Sequence, residues 1–245
     1  MSNALIQQSF EAKLNLYFDR EQDSAWLKKR LDESEFFQQL QIAWGCSDFS
    51  ADQAISDPQG FRQLVESGDL TQSYTQTSLI EALKQRITLI AEADEKALCK
   101  ELRLFRRREM QRIIWRDLNR LADLTETTRD VTLLAEACIA AALDYLHPMV
   151  ANDFGKPLDS QGNEQRMLVI AMGKMGGGEL NLSSDIDLIF AYPEAGETEG
   201  AKRSVSNQQF FERLGQRLIA SLDAQTVDGF VFRVDMRLRP YGQSG

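Results

Sequence analysis

Two carboxylates one residue apart interrupt an otherwise apolar segment, Asp185-Ile186-Asp187-Leu188-Ile189-Phe190. In a strand this spacing points both side chains to one face, about 7 Å apart at a rise of ~3.4 Å per residue. Like charges on one face repel, and each loses hydration where the face is partly buried. A multivalent cation between them removes both costs. Magnesium prefers such hard oxygen ligands, few of them from protein, with substrate phosphates completing its octahedron. Taken alone, Asp-x-Asp is better read as a solvated strand end.

It follows directly on Gly173-Lys174-Met175-Gly176-Gly177-Gly178 and then Glu179-Leu180-Asn181-Leu182-Ser183-Ser184. Consecutive glycines after a strand allow positive φ and bring backbone N–H groups close to phosphate oxygens. Lys174 would add a point charge. A tight structural turn uses the same residues. The run is neither GxGxxG nor GxxxxGK[ST], which sets aside the common dinucleotide and P-loop readings. A third acid, Asp235, lies in an apolar segment with Arg233 and Arg237 two residues away on either side. By itself it reads as half of a salt bridge. Together, a glycine loop, two acids on one strand and an acid on a later strand make the minimal site for two-metal phosphoryl or nucleotidyl transfer.

These residues need a sheet to hold them, and the sequence changes character near residue 150 to supply one. Before that point glycine is scarce and apolar residues recur at helical spacing; after it short β-branched segments appear. The chain therefore reads as α+β, with a helical region over 1–150 and an α/β core with a small mixed sheet over 151–245. Ala4 to Asp19 predicts an amphipathic helix with Leu5, Phe10, Leu14 and Phe18 on one side. Shorter helices are predicted over Phe36 to Trp44 and Phe61 to Val65, divided by Asp57-Pro58 and Gly68. A long helical stretch starts near Ser78. It carries Leu98, Leu102, Phe105, Ile113 and Leu121 on one side, with Arg103, Arg106, Arg107, Arg108 and Arg112 over much of the rest. Asp123 and Glu126 resemble a capping box, and Pro148 marks the expected end of the helix that follows. Asn152 to Arg166 reads as a loop or hairpin. Strands are predicted over Met167 to Met172 (continuous and apolar, as in a buried sheet), Asp185 to Tyr192 and Gly229 to Leu238. A helix over Ser206 to Leu222 carries Phe211, Leu214, Leu218 and Leu222 on one side.

Composition narrows the chemistry. The 245 residues suit one large domain or two small ones. Lys plus Arg is 28 against Asp plus Glu 37, a net charge of −9, which argues against wrapping nucleic acid or an anionic membrane. The run Arg106-Arg107-Arg108 accordingly reads as a solvated helix face. No apolar run approaches the roughly 18–20 residues of a spanning helix, and the N-terminus has no signal-peptide pattern. Cys46, Cys99 and Cys138 have no CxxC spacing and suit reduced, mostly buried thiols in a cytoplasmic protein. The single histidine, His147, leaves no Ser-His-Asp set unless it serves itself, and beside Pro148 it reads as a helix-end residue near the C-terminal dipole. Trp26, Trp44 and Trp115 fall at core or interface positions.

GKMGGGELNLSSDIDLIF at Gly173 to Phe190, with VDMRLRP at Val234 to Pro240 and ELRLFRRREMQRIIWRD upstream, resembles the bifunctional glutamine synthetase adenylyltransferase/adenylyl-removing family. That family belongs to the nucleotidyltransferase superfamily of the DNA polymerase β type. The likeness covers most of the chain from about Lys100. Gly178 and Asn181, with DGFVFRVDMRLRP, resemble the family's N-terminal half, which phosphorolyses the AMP–tyrosine bond on glutamine synthetase and yields ADP. The resemblance implies that Asp185, Asp187 and Asp235 hold Mg²⁺ and that Gly176, Gly177 and Ser184 grip phosphate. Arg237 and Arg239 either neutralise developing charge or make salt bridges within the sheet, and Lys174 is a further phosphate candidate. Implied partners are glutamine synthetase, ATP or ADP, inorganic phosphate and, through a longer parent chain, a PII-type signal protein; nucleic acid and membrane are not among them.

The same three acids also suit ATP-dependent adenylylation of glutamine synthetase. A catalytically silent docking module for glutamine synthetase or a PII protein is the other alternative. An antibiotic- or RNA-directed enzyme of the superfamily is disfavoured by RLRP and the helical prefix. The family's N-terminal half is considerably longer, so the sequence reads as truncated, with Ser2-Asn3-Ala4 as a cloning scar. It is expected to fold but to be weak or inactive alone.

Overall fold

Side-chain oxygens at helix starts divide the early sequence into short helices. The Ser47 hydroxyl accepts from the Ser50 N–H at 3.2 Å, and the Asp57 carboxylate from the Gly60 N–H at 2.9 Å. Pro58, which has no N–H to leave unsatisfied, opens the helix after Asp57. The computed structural model describes residues 3–20, 24–91 and 93–236. Elements among them run α1 (Asn3–Arg20), α2 (Ala25–Leu31), α3 (Ser34–Cys46), α4 (Asp48–Ser56), α5 (Pro58–Glu66), α6 (Gln76–Ile87), α7 (Glu95–Leu118) and α8 (Leu124–Phe154). They continue β1 (Lys156–Pro157), β2 (Leu168–Met172), α9 (Gly173–Gly176), β3 (Ile186–Ala191), β4 (Thr198–Glu199), α10 (Asn207–Asp223) and β5 (Val234–Asp235). The fold class is α+β, as expected. The chain divides into two compact units, Met1–Tyr74 with Arg107–Asp130, and Thr75–Arg106 with Val131–Gly245.

The first unit is helical around an aromatic core. Trp44 is fully buried, with Tyr17 and Phe61 each 5.5 Å away between ring centroids, and Phe36 stacks on Trp115 at 5.7 Å. Phe10 is buried on α1 as the spacing predicted, but Leu5 is 56% exposed. The core is reached by Phe10 and Tyr17, with Leu14 and Phe18 of the expected side packed against it. An ionic network lies beneath this surface. Arg112 is wholly buried, donates to Glu109 at 2.9 Å and to Asp130 at 2.8 Å, and stacks on Tyr74 with its guanidinium 3.9 Å from the ring centroid. Burial, reinforced by the charge of Glu109, pushes the Tyr74 phenol up to about 12. Arg108 pairs with Asp69 and Glu109 and is 26% exposed in its side chain. The arginine run is therefore not a fully solvated face: all three members are partly buried, Arg108 is held by carboxylates, and Arg106 lies over the Phe230 ring at 5.4 Å.

In the second unit α8 departs from expectation at two residues. Its start carries the Asp123 half of the expected capping box, the carboxylate accepting from the Glu126 N–H at 2.8 Å, while the Glu126 carboxylate accepts from Ser73 and Arg116. Pro148 does not end the helix. A helix-interior proline costs about 3 kcal/mol. Pro148 lies on the exposed side, where water can take the carbonyl it frees, while Leu146 and Val150 are fully buried on the other. His147 is buried, not at a helix end, with Nε2 2.9 Å from Glu164 Oε1 and its ring against Phe210. Burial holds its pKa below the ordinary value against the opposing pull of Glu164. By length and composition alone α8 is long and apolar enough to cross a bilayer, contrary to the expectation above. Its most apolar 18 residues have a mean hydropathy of 1.3, and 56% of that stretch is buried within the protein. Of the thiols only Cys138 is buried; Cys99 is half-buried and Cys46 exposed.

Two small sheets follow among the described residues. β1 pairs antiparallel with β4, and a three-stranded mixed sheet has the order β2-β3-β5. In it β2 and β3 are antiparallel, β3 and β5 parallel. α10 begins at a Ser206 cap whose hydroxyl accepts from the Gln209 N–H, and buries Phe211, Leu214, Leu218 and Leu222 as the spacing predicted.

Candidate active site

The ladder of the three-stranded sheet decides which side chains meet. Met172 lies opposite Asp187, Ile170 opposite Ile189 and Leu168 opposite Ala191. Directly opposed residues share a face, and Asp187 is in turn the register partner of Asp235 on β5. Asp187 and Asp235 thus stand side by side on neighbouring strands, ~4.8 Å apart in the backbone. The face they share is open. Leu168, Ile170 and Met172 are 54%, 46% and 38% exposed, so β2 is not the buried strand its apolar run suggests. It is an edge strand with one face partly covered and the other bare.

Asp185 directly precedes β3, and its carboxylate is turned to Arg233, 2.7 Å from Nε. The backbone there is fixed, because the Ile186 N–H donates to the Arg233 carbonyl at 2.9 Å. Among the described residues no group of three or more His, Cys, Asp or Glu side chains comes together as a ready metal site. The donor set nonetheless suits Mg²⁺: hard carboxylate oxygens from two adjacent strands, with room on the open face for water or phosphate oxygens. Gly173 makes that room. Its φ is +54°, and a Cβ there would lie 2.4 Å from Asp187 Oδ2. Nothing local in the sequence marks Gly173 for this role, because the acid that needs the space lies on the neighbouring strand.

The glycine triplet is arranged differently from its expected form. Positive φ occurs at Gly173 and Gly178, whereas Gly177 is right-handed at φ −84°. Residues Gly173–Gly176 form one helical turn, and the N–H groups of Gly177, Gly178 and Glu179 donate to the carbonyls of Gly173, Met175 and Lys174. Gly176 is held by close packing, since a Cβ would lie 2.6 Å from the Ala171 carbonyl oxygen; at Gly177 nothing comes nearer than 3.7 Å. Gly176→Ala should therefore cost about 1–3 kcal/mol in urea unfolding. Gly177→Ala should be neutral or gain up to about 1 kcal/mol from reduced unfolded-chain entropy. Equal losses at both positions would contradict this placement. Lys174 is exposed, and the Ser184 hydroxyl accepts from the Asn181 N–H within a turn. Arg237 and Arg239 lie outside the described residues, as does the end of the strand predicted to Leu238.

Arg103 is a residue whose role periodicity did not reveal. It is wholly buried, donates to the carbonyls of Cys99 and Ser221 at 2.7 and 3.0 Å and of Gly229 at 2.8 Å, and also bonds Ala224. It thereby clamps the end of α10 to the turn that leads into β5. The Leu222 carbonyl accepts from both Val231 and Phe232, which completes the anchoring of the strand that carries Asp235. A cavity of about 600 Å³ lies beside α10, where Tyr192 stacks on Phe211 at 5.0 Å. None of the three acids lines it.

Residues 37–245 match the glutamate-ammonia ligase adenylyltransferase family. The chain is 54% identical over 222 residues to the bifunctional glutamine synthetase adenylyltransferase/adenylyl-removing enzyme of Pseudomonas aeruginosa, covering 90% of this chain and 22% of that protein. It is 48% identical to the enzyme of the same name from Hahella chejuensis, covering 86% and 22%, and 48% identical to that from Nitrosococcus oceani, covering 89% and 23%. The chain spans about a fifth of the length of these relatives.

Proposed function

This chain belongs to the glutamate-ammonia ligase adenylyltransferase family, and from that premise we propose that it carries the site that removes AMP from adenylylated glutamine synthetase by phosphorolysis. The observation that carries the reading is the pairing of Asp187 with Asp235 on the open face of the sheet, beside a glycine that leaves the Asp187 carboxylate its space. The choice of removal over transfer rests on GGGELN and DGFVFRVDMRLRP, which resemble the family's N-terminal half.

In this account Asp187 and Asp235, with Asp185, hold Mg²⁺, which when bound supplies compensation for charge on the adenylyl phosphate and the departing phenolate. The protein's own part is to present the carboxylates in a fixed array. The β3–β5 ladder sets their separation, and Arg103 and Leu222 fix the strand that brings the third acid. A phosphate oxygen forms a new bond to the adenylyl phosphorus as the bond from phosphorus to the tyrosine oxygen breaks. The proton carried by the attacking hydrogen phosphate ends on the departing phenolate oxygen, which gives neutral tyrosine, and the nucleotide leaves as ADP. The exposed side chains of Leu168, Ile170 and Met172 beside the acids offer an apolar floor for a flat ring of the substrate.

The test uses a chain extended C-terminally to the length of the family's N-terminal half, with Mg²⁺. Given adenylylated glutamine synthetase, it should release ADP only when inorganic phosphate is present. Given ATP and unmodified glutamine synthetase, it should release little pyrophosphate. Robust pyrophosphate with no phosphate-dependent ADP would overturn the assignment in favour of adenylylation, and neither product would favour a docking module.

A further inference from the structure

The open face carries one feature that a set of metal-binding acids does not require. Arg233 stands two residues before Asp235, so strand alternation directs it to the same side as Asp235 and Asp187. Its Nε lies 2.7 Å from Asp185 Oδ1, and Nη2 makes only a marginal contact with the Ser183 carbonyl at 3.4 Å. Among the described residues Nη1 has no partner. The guanidinium thus spends one of its donors well and leaves most of its fork turned toward solvent. Both members of the pair are open to water, the side chains being 60% and 46% exposed. An ion pair this exposed is worth little and exchanges readily for a better partner. The base of the side chain, by contrast, is fixed: the Arg233 carbonyl is held by Ile186, and Val231 and Phe232 just before it are buried.

We propose that Arg233 is the oxyanion-binding residue of this site, releasing Asp185 to take inorganic phosphate once metal neutralises the acids. The physical need is plain. A phosphate dianion approaching Asp185, Asp187 and Asp235 meets three like charges, and metal alone offsets them without selecting an oxyanion's shape. A planar fork presenting parallel N–H groups selects that shape. Were Asp185 to turn to a bound cation, it would give up its hold on Arg233, so phosphate binding and cation binding would reinforce each other. The proposal rests on the adenylyl-removing reading only for the source of the phosphate; the binding itself is separable from turnover.

The test is calorimetric titration of this chain with inorganic phosphate at saturating Mg²⁺, compared with Arg233→Met and Arg233→Lys. AMP and sulfate serve as parallel ligands, and Mg²⁺ alone is titrated into each protein. Arg233→Met should weaken phosphate binding by about tenfold or more, the effect of losing a charge-assisted fork. Arg233→Lys should be intermediate, keeping the charge without the geometry, and Mg²⁺ affinity should be unchanged or improved in both variants. Phosphate should bind more tightly than sulfate. The proposal is overturned if the unsubstituted chain binds no phosphate, if Arg233→Met binds it equally well, or if phosphate and Mg²⁺ affinities fall together. It is also overturned if only AMP binding is lost, which would make Arg233 a nucleotide contact. Failure of the removal reading looks different: phosphate binding intact and dependent on Arg233, with no ADP formed from adenylylated glutamine synthetase.

Discussion

Asp187→Asn is expected to lower Mg²⁺-dependent turnover of the extended chain roughly 10³-fold, the equivalent of several kcal/mol of lost transition-state charge stabilisation. The same substitution should leave the metal-free fold as stable as before or slightly more so. Asp187 and Asp235 are register partners on adjacent strands, and like charges so placed destabilise a sheet by about 0.2–1 kcal/mol. Two opposite changes from one substitution make the prediction discriminating. Mg²⁺ should raise the Tm of the unsubstituted chain, because a ligand that binds only the folded state stabilises it, and should leave that of Asp187→Asn unmoved. If Asp187→Asn instead lost stability along with activity, and Mg²⁺ shifted neither Tm, the pair would be structural.

Arg112→Met should destabilise the first unit by about 3 kcal/mol, the cost of taking the enclosed guanidinium from two buried carboxylates that keep only the partly exposed Arg108 and Arg129. Glu109 and Asp130 are 1% and 3% exposed in their side chains, and Arg112 is fully enclosed with them. Its remaining nitrogen donates to the Gln72 carbonyl at 3.1 Å, which would also be stranded. The contrast is Arg129→Met. Arg129 also contacts Asp130, at 3.0 Å, but is 49% exposed, so its loss should cost no more than about 1 kcal/mol. Urea unfolding of both variants checks the difference. Equal effects would mean that water reaches Glu109 and Asp130 after all.

What the residues disclosed in advance was periodicity and capping, and what they withheld was the partner of each polar group. The α10 stripe of Phe211, Leu214, Leu218 and Leu222 is buried as spaced because its spacing alone selects one side of a helix. Asp123 caps α8 for an equally local reason. The arginines of α7 carried no such information: Arg103 and Arg112 lie among apolar residues because distant carbonyls and carboxylates receive them. Helix-breaking rules failed at Pro148 because tertiary burial of Leu146 and Val150 outweighed a local cost. β2 is less buried than its apolar run suggests, since such a run does not say whether both faces will be covered. At the site, Asp-x-Asp and the later acid were visible as residue types, but the ladder that pairs Asp187 with Asp235 was not: its second strand starts at Val234, after a turn at Thr226–Gly229, and not at Gly229 as the apolar spacing suggests. The engagement of Asp185 by Arg233 was not visible, because a residue two positions from an acid can turn either way. The glycines were found but their duties were exchanged: conformational freedom is needed at Gly173 and Gly178, close packing at Gly176, and neither at Gly177.

The central claim is that inorganic phosphate attacks the adenylyl group at the face bearing Asp187 and Asp235. The most direct measurement supplies isotopically labelled phosphate, Mg²⁺ and adenylylated glutamine synthetase to the extended chain and follows the label. The account predicts that it appears in the β-phosphate of ADP, in proportion to the tyrosine unmodified, and that Asp235→Asn eliminates the transfer. Release of unlabelled AMP, or label transfer that survives Asp235→Asn, would contradict it.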